Sequence, residues 1–151
     1  METKYENSLF YLINSCSKYF NMLFEQFFKN LNMGISATEH LALMVISDNE
    51  ECSQRDLAKI ILKDRANTGK LANSLMEKGL IKISLKTKNN RPVKILTITK
   101  KGMNLCKKIT EMVKPIVEKL NQEISQEVIE ETKNTIKNFR KVVEKIVKVN
   151  I

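Results

Sequence analysis

The chain has 151 residues, 42% of them hydrophobic, enough to bury a core as one ordinary domain without a metal or disulfide staple. With 4 Gly, 2 Pro and no Trp it has few places to turn, which predicts long helices and argues against all-β and parallel-sheet folds. The net charge of +9 is concentrated: residues 53–102 hold 13 of the 26 Lys+Arg against 3 of the 17 Asp+Glu, a net of +10 that leaves the remainder at −1.

The N-terminal stretch METKYENSLFYLINSC mixes charge with the polar Asn14 and Ser15, so neither a secretory signal nor a membrane span is expected. Cys16, Cys52 and Cys106 are odd in number and widely spaced, which suits a reducing cytoplasm and makes neither a disulfide framework nor a zinc set. Over residues 5–31, Leu9, Leu12, Ile13, Cys16, Tyr19, Phe20, Leu23, Phe24, Phe27, Phe28 and Leu31 recur at three- and four-residue steps. This predicts a helix whose apolar face is wider than one small core covers, part of it packing against another subunit; the alternative is a central core helix.

Gly34 is expected to end that helix, and Ser36-Ala37-Thr38-Glu39 reads as a capping box opening a second one to about Asp48. The polar break 48–51 precedes a short third helix beginning at Ser53-Gln54-Arg55-Asp56. Asp64 is a good N-cap for a fourth helix over 65–78, with Leu71, Leu75 and Thr68 inward and Gly79 as its left-handed stop. Residues 80–85 and 93–98 alternate with period two and predict two strands joined by a polar tip, 86–92. Thr99 can cap a fifth helix running past Pro115 to about Leu120, and Ser125 a sixth that carries Val128, Ile129, Thr132, Ile136, Phe139, Val143, Ile146 and Val147 on one stripe.

Helix, turn, helix and hairpin together predict a mainly α (α+β) fold: a six-helix winged helix-turn-helix subunit with a two-stranded wing and a helical dimer core. The excess positive charge lies on that winged segment, which points to phosphate backbone. In a helix-turn-helix the second helix enters the major groove N-terminus first. Here its first turns carry Arg65, Ala66, Asn67, Thr68 and Lys70, with Asn73 further along. Arg can bond guanine O6 and N7, Asn can bond adenine, and a small apolar group can touch the thymine methyl; the alternative for Asn67 is a local cap at the helix start. Lys59, Lys63, Lys82, Lys86 and Lys88 are expected on phosphates, and Arg91 in the minor groove beside the wing. All nine aromatic residues lie outside 53–102, which argues against single-strand or RNA stacking.

The run ISATEHLALMVI, followed by SQRDLAKIILKDRANTGKLANSLMEKGLIKISLKTKNNRPVKILTITKKG, resembles the MarR family of bacterial transcriptional regulators, most specifically in DLAKII, LMEKGLI and LTITKKG. The resemblance covers about two-thirds of the chain. It implies a homodimer in which the N-terminal helix and the last two helices interleave, with 64–78 as the recognition helix. The expected domains are therefore 1–35 (dimerisation), 36–102 (DNA binding) and 103–151 (dimerisation). It also implies a response to a small amphipathic ligand or to an oxidant acting on cysteine, and Cys16 in the first helix is the candidate redox sensor. Where the family usually has Asp-Arg-Arg at the wing, this chain has Asn90-Arg91-Pro92, so the Arg91 contact lacks its orienting carboxylate.

The expected function is a cytoplasmic, sequence-specific regulator of transcription, a repressor in its simplest form, whose partner is double-stranded DNA with a pseudopalindromic site. The alternative is a winged-helix protein-interaction module without specific DNA binding. No H-E-x-x-H, G-x-G-x-x-G, P-loop or C-x-x-C motif is present, and His40 is the single histidine. The expectation is a non-enzyme with no catalytic residues, no cofactor, no metal and no membrane partner.

Overall fold

A computed structural model describes residues 4–147. The first three residues of the expected N-terminal dimerisation segment and the last four of the C-terminal one lie outside them. The chain divides into two compact units after Ala42, within the second helix.

In the first unit, helix α1 (Leu9–Leu31) starts four residues later than its apolar pattern. The reason is local: the Ser8 N–H donates to Tyr5 O, making a turn, and the Ser8 hydroxyl then accepts the Tyr11 N–H at 3.3 Å as the N-cap. The helix also closes before Gly34, because Asn32 takes the left-handed conformation (φ 45°) that asparagine tolerates. Phe28 is the buried residue of α1, its ring 5.2 Å from that of His40. Much of the wide apolar face stays open in the single chain, with Phe10 76% and Tyr19 73% exposed. Helix α2 (Ala37–Ser47) opens on the expected capping box, in which the Ser36 N–H donates to Glu39 Oε2 at 2.8 Å and the Glu39 N–H donates to Ser36 Oγ at 3.2 Å.

The second unit holds strand β1 (Cys52–Ser53), helices α3 (Gln54–Ile60) and α4 (Arg65–Glu77), strands β2 (Ile81–Lys88) and β3 (Arg91–Ile98), and helices α5 (Lys100–Glu123) and α6 (Gln126–Ile146). The sheet is antiparallel in the order β1-β3-β2. Its third strand departs from the two-stranded expectation. Cys52 and Ser53 pair with Leu96 and Ile95, a contact across more than forty residues that two residues of sequence cannot announce. The core gathers Leu43 and Ile46 from α2, Leu57 and Ala58 from α3, Ala72 and Leu75 from α4, Leu96 from β3 and Ile109 from α5. On α4 the inward stripe is Thr68, Ala72 and Leu75, at steps of four and three; Leu71, expected inward, is only half-buried.

The wing is longer than its alternation suggests. Residues 86–88 and 91–92, expected as loop, belong to the strands, and the tip is the two-residue turn Asn89-Asn90 with φ 51° and 56°. Positive φ at both positions makes the turn whose twist matches a hairpin, and asparagine is one of the few residues that accepts it. Pro92 lies opposite Thr87, one step from the turn-flanking pair Lys88–Arg91, so the alternation of an antiparallel ladder leaves its missing N–H on the side away from β2. Between α3 and α4 the chain turns at Leu62, a leucine held at φ 53°.

Helix α5 runs through Pro115 to Glu123, three residues beyond the expected end, and Ser125 caps α6 by accepting the Val128 N–H. No residue of α6 is buried, and Ile146 on its apolar stripe is 76% exposed. At the start of α5, a Cβ on Gly102 would overlap the Leu80 carbonyl oxygen and stand 2.8 Å from Ile98 Cγ1. Overpacking costs about 1–3 kcal/mol. Since the obstacle here is backbone, Gly102→Ala is expected to lose about 3 kcal/mol in chemical denaturation; parental stability would mean that α5 does not rest on Leu80.

Candidate nucleic-acid interface

Helices α3 and α4 are set by side-chain caps of the expected kind. Ser53 Oγ accepts the Asp56 N–H at 3.1 Å and donates to Asp56 Oδ2 at 2.6 Å, while Asp64 Oδ1 accepts the Asn67 N–H at 2.8 Å. The two helices approach closely at Gly69, where a Cβ would stand 3.2 Å from Gln54 Nε2. Gln54, Arg55 and Asp56 of α3 and Arg65 of α4 line one groove with the hairpin.

Between them is an open groove of about 1030 Å³, walled by 53–56 and Arg65 on one side and by the wing on the other. Six cationic side chains line it: Arg55, Arg65, Lys86, Lys88, Arg91 and Lys94. The acidic lining residues are Glu51 and Asp56. By strand register Lys86, Lys88 and Arg91 share one face of the hairpin, and Lys88 stands directly opposite Arg91. Like charges in that relation destabilise a hairpin on their own. An anion lying across both removes the conflict.

The expected site residues divide into groups. Arg65, Lys86, Lys88 and Arg91 come together in the groove, whereas Ala66, Asn67, Lys70 and Asn73 are exposed along α4 outside its lining. Thr68 must be taken out of the base-reading set. It is fully buried, and its hydroxyl donates to the Asp64 carbonyl at 2.8 Å, because it shares the inward stripe with Ala72 and Leu75. Lys59 and Lys82 are exposed and Lys63 half-buried, all outside the groove lining. Gln54, Arg55 and Lys94 line the groove but were not singled out from sequence. Arg55 lay hidden inside what read as a helix start, and Lys94 inside an alternating strand; only the charge of the whole window hinted at them.

One cation of the groove is held by a carboxylate. Lys86 Nζ contacts Glu51 Oε1 at 2.5 Å, and that hydrogen bond, with the Lys86 charge and a smaller contribution from Lys88, lowers the Glu51 pKa. Both partners are exposed, so the pair adds little to stability. Its effect is to hold Lys86 against the turn before β1. Asp64 is likewise held low, chiefly by the Asn67 backbone N–H and then by the Asn67 side chain.

Cys16, the candidate sensor, is exposed on α1. Cys52 and Cys106 are buried, and burial pushes both thiols up, reinforced by Asp56 and Asp48 respectively. Both therefore stay protonated and poorly nucleophilic at neutral pH. Burial lowers the His40 pKa, and its Nε2 is enclosed without a hydrogen-bond partner among the described residues. Among the described residues, no helix is long and apolar enough to cross a membrane, and no three His, Cys, Asp or Glu side chains are grouped as metal ligands.

The sequence model of the MarR family matches residues 33–86, from just before the α2 capping box to within two residues of the end of β2. No protein of curated function matches the chain in sequence. Solved structures are similar over nearly the whole chain. A MarR-family transcriptional regulator from Rhodococcus sp. RHA1 superposes with a TM-score of 0.78 at 16% identity, covering 92% of this chain and 96% of its own. MepR of S. aureus, solved as a DNA complex, has a TM-score of 0.74 at 19% identity, covering 94% of this chain and 99% of its own. CouR of Rhodococcus jostii RHA1, solved bound to p-coumaroyl-CoA, has a TM-score of 0.78 at 16% identity, covering 91% and 95%. At these identities the likeness is one of fold.

The Glu51–Lys86 contact has a titration signature. Because the folded pKa of Glu51 is depressed, the pair is present above the unfolded carboxylate pKa and is lost as pH falls through the folded value. Carboxyl-carbon NMR should show Glu51 titrating below the ordinary glutamate range, and Lys86→Met should return it upward. A Glu51 indifferent to that substitution would mean that Lys86 stands elsewhere in solution.

Proposed function

We propose that this chain, whose segment 33–86 matches the MarR family model and whose fold is shared by MarR-family structures, is a member of that family: a homodimeric, sequence-specific double-stranded DNA-binding regulator of transcription, acting as a repressor relieved by a small ligand or oxidant. The observation that carries this reading is the groove: six cations from α3, α4 and both wing strands converge there, with Lys88 and Arg91 placed directly opposite each other. A like-charge pair in that position fits a surface completed by phosphate. On α4, Arg65, Asn67, Lys70 and Asn73 are the exposed side chains that would meet base edges and backbone in the major groove.

The same fold carries DNA in MepR and an acyl-CoA ligand in CouR, which supports a DNA-binding, ligand-responsive role for this chain as well. Dimerisation is supported by the open apolar faces of α1 and α6, which a second copy would cover. In this reading 1–35 and 103–151 form the dimer core and 36–102 meets DNA. The effector acts by favouring a dimer geometry whose two recognition helices no longer match the groove spacing. Cys16, which lies on the α1 face that the second copy would cover, is the candidate thiol for an oxidant.

Selection of genomic fragments with purified protein at about 150 mM salt tests the central claim. The expected result is an inverted repeat with half-site centres ~10 bp apart, bound ~10³-fold or more tighter than scrambled DNA. Uniformly weak binding that vanishes with salt would reject sequence-specific recognition. On the selected site, Arg65→Ala is expected to cost about 1–3 kcal/mol and to relax preference at one position per half-site; equal weakening on every sequence would make Arg65 a phosphate contact. Sedimentation at micromolar concentration should show a dimer, and a folded monomer alone would remove the dimeric part of the proposal.

A further inference from the structure

The cap of α4 does more than cap. One oxygen of the Asp64 carboxylate accepts the Asn67 backbone N–H at 2.8 Å, which is all an N-cap requires. The other accepts from the Asn67 side-chain amide nitrogen at 2.5 Å. At α1, α3, α5 and α6 the cap is the hydroxyl of Ser8, Ser53, Thr99 or Ser125, each accepting one backbone N–H. A hydroxyl would serve at α4 too. Instead the helix that presents Arg65 to the groove begins with a carboxylate, whose negative charge opposes the approach of DNA.

We infer that Asp64 is a positioning residue for base reading: by holding the Asn67 amide in one orientation it presents that amide, pre-formed, to an adenine edge. The inference rests on the DNA-binding reading above. Its physical basis is the polarity of the two groups. A carboxylate cannot accept from the amide oxygen, so the Asn67 amide nitrogen faces Asp64 and its Oδ1 is turned away. With one N–H engaged, the amide keeps its carbonyl oxygen and its second N–H for another partner. That is the acceptor and donor pair that matches N6–H and N7 of adenine. A free asparagine on an exposed first turn would have to lose its rotational freedom on binding, whereas a held one has already lost it. Asp64 therefore lowers affinity for DNA in general and raises the preference for one base in each half-site.

Asp64→Ser separates this role from capping, since a side-chain hydroxyl caps the other helices and only the hold on the amide and the charge are lost. Titrations on the selected operator, on the same operator with the adenine replaced, and on scrambled DNA form the experiment. Binding to scrambled DNA is expected to rise a few-fold as the charge is removed, while discrimination against the replaced adenine falls about tenfold with helicity and thermal midpoint little changed. In an Asn67→Ala background, Asp64→Ser should cause no further loss of discrimination, because the two residues act as one unit. Unchanged discrimination in Asp64→Ser, or losses that add in the double variant, would overturn the inference while leaving the DNA-binding reading intact. An absence of any sequence preference in the parent protein would overturn both.

Discussion

The winged unit hangs on the place where the first turn of α5 lies against the Leu80 carbonyl. Only a glycine at 102 allows that approach, and the hydrogen bonds around it join three elements at once. The Thr99 N–H donates to Leu80 O, its hydroxyl proton is shared between Gly79 O and Leu80 O, and Thr99 Oγ1 accepts the Gly102 N–H as the cap of α5. Lys101 Nζ adds a bond to Lys78 O. Carbonyls left over at the end of α4 and the base of β2 are thereby satisfied by the residues that begin α5. The end of the recognition helix, the root of the wing and the start of a long helix cannot then move independently, so the distance from α4 to the wing is set by backbone contact.

That geometry explains how a groove of six cations is tolerated. Each cation projects from an element already held by uncharged packing: Leu57 and Ala58 under α3, Ala72 and Leu75 under α4, and Ile81 and Leu96 within the hairpin. Electrostatic repulsion among Lys86, Lys88 and Arg91 is a surface effect in high dielectric and is screened by salt, whereas the apolar contacts beneath are not. Glu51 offsets part of the repulsion by taking Lys86. The wing can carry more positive charge than an isolated hairpin would bear because its root is in the core and its tip is a two-residue turn that needs no side-chain support.

What could be read from sequence was what neighbours in the chain decide. Ser36 with Glu39, Ser53, Asp64, Thr99 and Ser125 each cap the helix expected of them, since a cap is made between residues three apart. The hairpin was legible as two alternating runs, but its length was not. Lys86, Thr87 and Lys88 look like loop, and become strand only because Asn89 and Asn90 both accept positive φ. At the candidate site, Arg65, Lys88 and Arg91 were legible from charge and position. Arg55 and Lys94 were not, because nothing local distinguishes a lysine that lines a groove from one that faces water.

By itself, then, the sequence determined the helix starts, the winged arrangement and the segment that owns the positive charge, all of which follow from periodicity, capping chemistry and composition over short spans. The tertiary structure alone decided that Cys52 and Ser53 add a third strand, that Thr68 turns inward and spends its hydroxyl on Asp64, that Lys86 is held by a glutamate thirty-five residues away, and that Gly102 is the glycine the winged unit requires. The reason is the same in each case. These are choices between equally good local conformations, and they are settled only when a distant segment supplies a partner or withholds the space.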